Sequence, residues 1–340
     1  MMNIREEIHD VFNDSENSPI AKMLRDQTHD KLKECFPTQS EHDVFMREEL
    51  TPKYTLGCKR ICVSDDYYPS LAKPNVTLET RGIKSIGPNG PIVDTSKPNP
   101  TVTADTDLDV LILATGYQTM QFLAPMEWTG RNGRKLKDIW ADGPRALNGV
   151  TVEDLPNFGM MYGPNTNLGH SSIELMLEAQ SRYIGGLANA VLEARKDSRG
   201  RGAGSVVKVN NDASLLSLSP KREVVERYEN EMQERLKQSP FADPNCSSWY
   251  KDPITGKITN NWPGNCVEFG TRLSKVEWDD YEGGNSVKTM RRGQQKADVG
   301  RVKEELVVSD RAIAVLGIVS AIAGGLGWYL RQGRGMPSLR

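Results

Sequence analysis

Two short apolar runs in the middle of the chain stand out from its otherwise mixed pattern of hydrophobic and polar residues. Residues 108–113 (LDVLIL) lead directly into residues 114–116 (ATG), and residues 158–162 (FGMMY) lead into residues 163–165 (GPN). Runs of this length that end at a glycine are typical of strands in a parallel sheet that is covered on both faces. The two runs therefore predict parallel strands of an α/β fold.

Apolar residues that recur at steps of three and four predict three amphipathic helices. The first is expected to begin at Ser18, an N-cap residue that is followed by proline, and to extend to residue 35. The second is expected after Ser171, which has capping-box spacing to Glu174, and the third is expected to open at Ser219. The apolar side of the third helix contains Val225, Tyr228, Met232 and Leu236.

The segments between these elements have weaker patterns. Residues 75–80 alternate between apolar and polar side chains, which predicts a half-exposed strand in a small, partly antiparallel sheet within residues 75–107. Glycine and charge dominate residues 197–204, which predicts a flexible linker where the packed α/β part ends. Residues 278–305 are polar without a steady period, and we interpret them as a linker or a surface extension.

An uncharged segment, residues 312–330, lies near the end of the chain. Nineteen residues at the helical rise give about 28 Å, close to the thickness of the hydrocarbon core of a bilayer. The segment therefore predicts a C-terminal transmembrane helix, and a buried glycine-rich core helix stays open as the alternative. Lys and Arg are more numerous before the segment than after it, which predicts a body facing the cytosol, with the endoplasmic reticulum as one candidate membrane.

Small residues in this segment suggest a partner within the membrane. Gly317, Ala321 and Gly325 are four residues apart and share one helical face, a spacing that is typical of packed transmembrane helices. Trp328 and Tyr329 stand at the far end, where amphipathic rings favour the membrane interface. We therefore expect the helix to pair with another helix.

Composition excludes several classes of function. The chain has 43 Lys and Arg against 45 Asp and Glu, so its net charge of −2 gives no field that would attract nucleic acid. Its five cysteines are odd in number and scattered, which does not resemble a disulfide framework and favours a reducing compartment. A zinc site would need ligands from almost the whole chain, so we expect no metal.

Several motifs that follow one another in order are more specific than any single pattern. From about residue 45 to residue 195 the chain resembles the second half of a Baeyer-Villiger flavin monooxygenase, and two later motifs resemble the C-terminal region of that family. The motifs are residues 50–54 (LTPKY), 57–60 (GCKR), 66–68 (DYY), 113–117 (LATGY), Gly130 with Gly133 and Trp140, 156–158 (PNF), 163–166 (GPNT), 248–250 (SWY) and 261–264 (NWPG).

The resemblance implies a fold and a division into domains. The fold is an incomplete doubly wound, Rossmann-like FAD- and NAD(P)-binding α/β fold with a small β insertion, a helical C-terminal extension and the transmembrane helix. Residues 1–72 correspond to the end of the NADPH-binding domain and the crossover, and residues 73–196 to the C-terminal part of the FAD-binding domain. Residues 197–310 form the extension and linker, and residues 311–331 form the membrane helix.

The resemblance also implies cofactors, substrates and site residues. FAD and NADPH are the cofactors, and O2 and a small ketone or a nitrogen or sulfur compound are the substrates. Arg60 matches the catalytic cation that stabilises negative charge beside the flavin, and Lys59 matches the residue that contacts the 2′-phosphate of NADPH. The other cofactor-binding candidates stand at the two predicted strand ends: Ala114, Thr115, Gly116, Gly163, Pro164 and Asn165.

Plainer interpretations of these residues stay open. Without the surrounding motifs, we would interpret Lys59 and Arg60 as a solvated basic pair at a domain edge. Residues 163–165 would likewise be interpreted as an ordinary strand-to-helix turn. The glycine-rich dinucleotide fingerprints of the family are absent from this sequence, and the glycine cluster at residues 200–205 lacks their spacing. The chain is then part of a flavin monooxygenase, or a membrane-tethered, non-catalytic interaction module that keeps the half-fold.

Overall fold

A computed structural model describes residue 11 and residues 18–97, 99–100, 108–169, 171–200 and 216–301 of the chain. Contacts between Cα atoms divide the chain into two compact units, residues 1–300 and residues 301–340. Apart from Arg301, the second unit lies outside the described residues. The elements below belong to the first unit.

The N-terminal part of this unit is helical. It contains α1 (Pro19–Cys35), α2 (Glu41–Leu50) and α3 (Tyr67–Leu71). The backbone N–H of Ala21 donates to Ser18 Oγ over 3.4 Å, so the predicted N-cap of the first helix is confirmed. A small cluster of buried side chains, to which both α1 and α2 contribute, contains Leu32, Phe36 and Met46.

An antiparallel hairpin follows, formed by β1 (Ile83–Gly87) and β2 (Gly90–Val93). Ile83 pairs with Val93, and Gly87 pairs with Gly90 across the turn. The hairpin confirms the predicted small antiparallel sheet within residues 75–107. The strand predicted for residues 75–80 is wrong, because that segment is irregular.

The two predicted parallel strands are also absent. Residues 108–113 and 158–162 lie within the described chain and form no strand. Residues 108–113 are exposed on both faces, with Val110 at 74% and Ile112 at 84% exposure. A strand is defined by a hydrogen-bonded neighbour, and in the described residues every strand belongs to a two-stranded antiparallel pair. The doubly wound parallel sheet is therefore not formed by these residues.

The short helix α4 (Leu136–Ile139) precedes the long helix α5 (Ile173–Gly200), which spans 28 residues. Its start differs from the predicted capping box, because Ser172 rather than Ser171 donates from its Oγ to Glu174 Oε2, over 2.6 Å. The helix continues to residue 200, so the flexible linker predicted from residue 197 is wrong up to that point. The rest of the predicted linker, residues 201–204, lies outside the described residues.

The third predicted helix exists but begins later than expected. Ser219 belongs to β3 (Ser219–Pro220), and α6 (Arg222–Leu236) starts with Lys221 as its N-cap residue. Ser219 could not cap the helix because β3 pairs with a distant strand, β5 (Tyr281–Glu282). The predicted apolar side is confirmed: its buried residues include Val225, Tyr228, Met232 and Leu236.

The region predicted as a polar linker, residues 278–305, is folded as far as residue 300. After α7 (Cys266–Arg272) and β4 (Lys275–Glu277), the chain forms β5, α8 (Gly284–Met290) and β6 (Lys296–Asp298). The strand β4 pairs antiparallel with β6. Trp278, Tyr281 and Val287 are buried, so three well-spaced apolar side chains anchor a segment that is otherwise charged.

The largest core cluster joins the middle of the chain to its C-terminal part. It contains side chains of α5, α6 and α7 together with Trp278 and Tyr281. Buried hydroxyls cross the same core, where Tyr281 Oη lies 3.0 Å from Tyr183 Oη and 3.1 Å from Thr151 Oγ1. Residues on both sides of the boundary predicted near residue 196 thus share one core.

The predicted transmembrane segment, residues 312–330, lies outside the described residues. Within the part of the chain that the structure describes, no helix is both long and apolar enough to cross a membrane.

Candidate functional site

Lys59 and Arg60 lie in an irregular, exposed loop between α2 and α3. The Nζ atom of Lys59 is 4.7 Å from the centre of the Tyr54 ring, a cation–π contact. Among the described residues, neither cation forms a salt bridge, although Lys53 and Arg81 nearby pair with Glu49 and Glu79. Two adjacent cations without carboxylate partners can attract an anion or an electron-rich ring.

The charge of Arg60 influences the hydroxyls of two tyrosines. Burial raises the pKa of the Tyr162 hydroxyl, and the positive charge of Arg60 acts in the opposite direction. Burial also raises the pKa of Tyr250, while a hydrogen bond with Asn167 and the charge of Arg60 both lower it. A cation changes the pKa of a phenol only at close range in this way, so Arg60 lies within electrostatic reach of both hydroxyls.

Asn167 connects the two tyrosines. Its Oδ1 accepts a hydrogen bond of 2.7 Å from the Tyr162 hydroxyl, and its side chain also lowers the pKa of the Tyr250 hydroxyl. Its backbone is fixed as well, because its N–H donates to the Asn260 carbonyl and its own carbonyl accepts from Trp262 N. Arg60, Tyr162, Asn167 and Tyr250 are called the Arg60 cluster below.

The loop of residues 163–165 is packed beneath this cluster. A Cβ atom on Gly163 would lie 2.3 Å from the Gly149 carbonyl oxygen, so only glycine fits there. Asn165 is 1% exposed, and its Nδ2 donates to the carbonyls of Ile258 over 2.9 Å and Asn261 over 3.0 Å. Asn165 therefore fastens the loop to the C-terminal segment, and cofactor contact by Gly163, Pro164 and Asn165 stays a prediction.

The third group of predicted site residues is exposed. Ala114, Thr115 and Gly116 lie in the irregular segment after residues 108–113, and a Cβ on Gly116 would meet no atom within 4 Å. Gly116 has a φ of +79°, which favours glycine. This segment approaches the cluster through one contact, because Thr119 Oγ1 donates to the Trp249 carbonyl over 3.3 Å, next to Tyr250.

A disulfide joins Cys58 to Cys246, with the Cα atoms 6.2 Å apart. The expectation that the cysteines form no disulfide is wrong for this pair, because the two residues are separated by 188 positions and no local spacing reveals them. Cys35, Cys62 and Cys266 form no disulfide. Within the described residues, no group of three His, Cys, Asp or Glu side chains is arranged to hold a metal ion.

Sequence reasoning missed three members of the Arg60 cluster. Tyr162 directly precedes Gly163, and Tyr250 belongs to one of the C-terminal motifs, so both positions carried a signal. No sequence motif marked Asn167 as a site residue, apart from its position two residues after Asn165. The cluster depends on contacts between segments about 100 residues apart, which a single sequence does not display.

Comparisons with known proteins give this site its context. No family model matches the chain. The FAD-binding monooxygenase ktnD of Aspergillus niger is 39% identical over 329 residues, which cover 96% of this chain and 49% of that protein. A Baeyer-Villiger monooxygenase of Pseudomonas aeruginosa is 37% identical over 239 residues, 70% of this chain and 40% of the relative.

Solved structures agree on the fold. A steroid monooxygenase bound to NADP matches 85% of this chain with a TM-score of 0.57 and 22% identity, and the chain covers 47% of it. The monooxygenase OTEMO in complex with FAD and NADP matches 85% with a TM-score of 0.55 and 19% identity, and 46% of it is covered. The described fold is therefore part of the fold of FAD- and NADP-binding monooxygenases.

The sequence relatives identify the family more closely. The chain belongs to the flavin-dependent monooxygenases of the Baeyer-Villiger type. It spans about half the length of the curated relatives that it matches.

Proposed function

We propose that this chain provides the Arg60 side of the active site in a flavin-dependent monooxygenase that uses FAD, NADPH and O2. The reaction would insert oxygen beside the carbonyl of a small ketone, or oxygenate a nitrogen or sulfur centre. The observation that carries the proposal is the Arg60 cluster, where an exposed guanidinium that forms no salt bridge among the described residues acts electrostatically on two phenols in a chain of this family.

The cationic side chains and the open backbone of this chain suit particular groups of these two cofactors. The unpaired cation of Lys59 suits the 2′-phosphate of NADPH, since a flexible point charge can follow a phosphate. The permanent cation of Arg60 suits the electron-rich part of the flavin. The open backbone at Gly116 allows a flat ring to approach closely, which a Cβ would prevent. Residues 114–116 and 163–165 are the remaining candidates for cofactor contact.

When bound, the flavin supplies the reducing electrons and activates oxygen, and the residues of this chain organise the surroundings. Arg60 stabilises negative charge that develops during oxygen transfer, because its guanidinium is always protonated. Asn167 orients the hydroxyls of Tyr162 and Tyr250 beside it. Asn165 and the buried ring of Tyr250 keep the base of the site rigid. Rigid support of this kind is needed for electrostatic stabilisation of a transition state.

The glycine turn that holds the pyrophosphate of a dinucleotide is not present in this sequence. We therefore expect the chain to need a complementary dinucleotide-binding half for tight flavin binding. The decisive experiment joins the chain to the N-terminal half of the Aspergillus niger relative and measures flavin absorbance, NADPH oxidation and oxygenated products from ketones, amines and sulfides. The chain alone is the control.

The proposal predicts bound flavin and an oxygenated product from the joined protein, and a colourless preparation of the chain alone. A joined protein that binds FAD and oxidises NADPH but oxygenates none of the three substrate types would overturn it. A joined protein that is folded and colourless would instead favour a non-catalytic interaction module.

The location of the protein belongs to the same proposal. Residues 312–330 are uncharged and long enough to span a bilayer as one helix, and the excess of Lys and Arg before them favours a body in the cytosol, whereas the Cys58–Cys246 disulfide favours an oxidising compartment. The test compares the full chain with a variant that lacks residues 310–340. The full chain is expected to stay in the membrane fraction after an alkaline carbonate wash, and its release by that wash would contradict the anchor.

A further inference from the structure

The Cys58–Cys246 disulfide joins the two chain segments that supply the Arg60 cluster. Cys58 is two residues before Arg60, and Cys246 is four residues before Tyr250. Both cysteines are buried, with exposures of 0% and 2%. The bridge therefore lies beneath the cluster and links its cation to one of its phenols through a short covalent path.

The segment that carries Arg60 has few other attachments. It contains no regular secondary structure, and Gly57 adopts a φ of +93° just before the bridge. On the N-terminal side, Thr55 N donates to Asp243 Oδ2 over 2.6 Å. Leu56 and Ile61, on either side of Cys58, pack partly buried against the apolar cluster that contains Tyr250. Cys58 is thus the nearest covalently fixed point to Arg60.

The segment that carries Tyr250 is held firmly by contrast. The Tyr250 ring packs edge-to-face on Phe241 with centroids 5.4 Å apart, and it is 2% exposed. Its carbonyl accepts a hydrogen bond from Thr259 N over 3.2 Å. The disulfide consequently connects an irregular, exposed loop to a packed base.

We infer that the Cys58–Cys246 disulfide is a positioning element that holds the segment of Arg60 on the packed segment of Tyr250, and so keeps the guanidinium within electrostatic reach of the Tyr162 and Tyr250 hydroxyls. Without the bridge, the residues between Thr55 and Ile61 can move away from the base while the rest of the fold stays intact. The use of Arg60 in oxygen transfer rests on the proposed function, whereas the effect of the bridge on the position of Arg60 does not.

The test measures how much the charge of Arg60 changes the pKa of the two phenols, with and without the bridge. The full chain is labelled with carbon-13 at the tyrosine ring, and its phenol pKa values are followed by NMR, with Tyr162→Phe and Tyr250→Phe as assignment variants. Arg60→Gln is introduced into the parent chain and into the Cys58→Ser/Cys246→Ser variant. Cys62→Ser is the control for loss of a thiol in the same loop, since Cys62 is exposed and forms no disulfide, and its Sγ donates only a weak hydrogen bond of 3.8 Å to the Arg60 carbonyl.

In the parent and in the Cys62→Ser control, Arg60→Gln is expected to raise both phenol pKa values, because it removes a positive charge that favours the phenolate. In the bridge variant this shift is expected to be lost. An equal shift in both backgrounds would show that the bridge does not position Arg60. Because the readout is a tyrosine titration, it does not depend on flavin binding or catalysis.

If the bridge variant does not fold, a second measurement tests whether the bridge positions Arg60. The native chain is treated with a dithiol, which is oxidised to its cyclic disulfide while the bridge takes up two electrons and two protons to give two thiols. Trypsin cleavage after Arg60 is then compared with cleavage after Arg292, an exposed turn residue far along the chain.

Reduction is expected to accelerate cleavage after Arg60 at least severalfold relative to Arg292. An unchanged ratio would overturn the inference. A non-reduced digest of the oxidised chain must also contain the peptide pair joined through Cys58 and Cys246, and its absence would overturn the inference as well.

Discussion

The Tyr162 hydroxyl donates a hydrogen bond of 2.7 Å to Oδ1 of Asn167, five residues further along the chain. The turn between them is buried, with Asn165 and Thr166 at 1% and 0% exposure. The bond therefore connects a half-exposed phenol to the fixed base of the Arg60 cluster. Removing it tests whether the geometry of this cluster is part of the folded core.

Tyr162→Phe is expected to lower the free energy of unfolding by about 1 kcal/mol, because it removes one hydrogen bond and leaves Asn167 Oδ1 without that donor. Urea unfolding followed by tryptophan fluorescence measures the change. Tyr117→Phe is the matched control, since Tyr117 is 94% exposed and its hydroxyl is free to bond with water. Equal stability of both variants would show that the bond contributes nothing.

Gly163→Ala is expected to destabilise the chain by about 2 to 3 kcal/mol, an ordinary cost of overpacking in a core. The new methyl group would lie 2.3 Å from the Gly149 carbonyl oxygen, and backbone cannot move aside as a flexible side chain can. Thermal and urea unfolding measure the effect.

Gly185→Ala provides the opposite control for this position. Gly185 lies inside α5, and a Cβ there would meet no atom within 4 Å. The substitution is expected to stabilise the chain by about 0.5 to 1 kcal/mol, the difference in helix propensity between the two residues. Similar losses of stability in both variants would contradict the packing assigned to Gly163.

Asp43 gives a prediction about pH. Hydrogen bonds from His42 and then from Thr38 lower the pKa of its carboxyl to about 2. Because the folded pKa is below the unfolded value, the carboxylate contributes stability above the unfolded pKa, and this contribution is lost as pH falls towards 2. Asp43→Asn is expected to cost about 1 kcal/mol at neutral pH, after allowance for solvent screening, and nothing near pH 2.

Glu41→Gln is the control for the Asp43 variant. Glu41 is an exposed acidic residue in the first turn of the same helix, α2, so only its interaction with the helix dipole is lost. Its effect is expected to be about 0.3 kcal/mol. Chemical unfolding at several pH values compares the two variants. A loss of stability in Asp43→Asn that persists undiminished at pH 2 would be inconsistent with the assigned hydrogen bonds.

Local patterns predicted local structure well. The start of α1 at Ser18 and the buried side of α6 follow from cap chemistry and helical periodicity, which act within a few residues. The irregular conformation of residues 108–113 could not be predicted from their apolar composition, because a strand also requires a hydrogen-bonded neighbour. Trp278 and Tyr281 were missed as core residues because charged residues separate them and hide any period.

The site was predicted less completely than the helices. Arg60 came from a resemblance between ordered motifs, and the structure places it beside Tyr162 and Tyr250. The link from Asn167 to Tyr250 and the Cys58–Cys246 bridge connect positions far apart in sequence. Such contacts depend on how the chain folds, and they cannot be predicted from residue spacing within a single sequence.

The central claim is that Arg60 stabilises negative charge during oxygen transfer. It is tested most directly by Arg60→Lys in the chain joined to a dinucleotide-binding half, with Arg81→Lys as control, because Arg81 pairs with Glu79 on the surface. The measurement is oxygenated product formed per NADPH oxidised, together with flavin content.

For Arg60→Lys we expect unchanged flavin content, continued NADPH oxidation with release of hydrogen peroxide, and a fall in product formation of about a hundredfold. A loss of this order is typical when one preorganised charge or donor is removed from an active site, and an ammonium does not reproduce the planar guanidinium. The Arg81→Lys control is expected to behave like the parent. Product formation by Arg60→Lys at the rate of the parent would contradict the account and leave Arg60 as a surface charge.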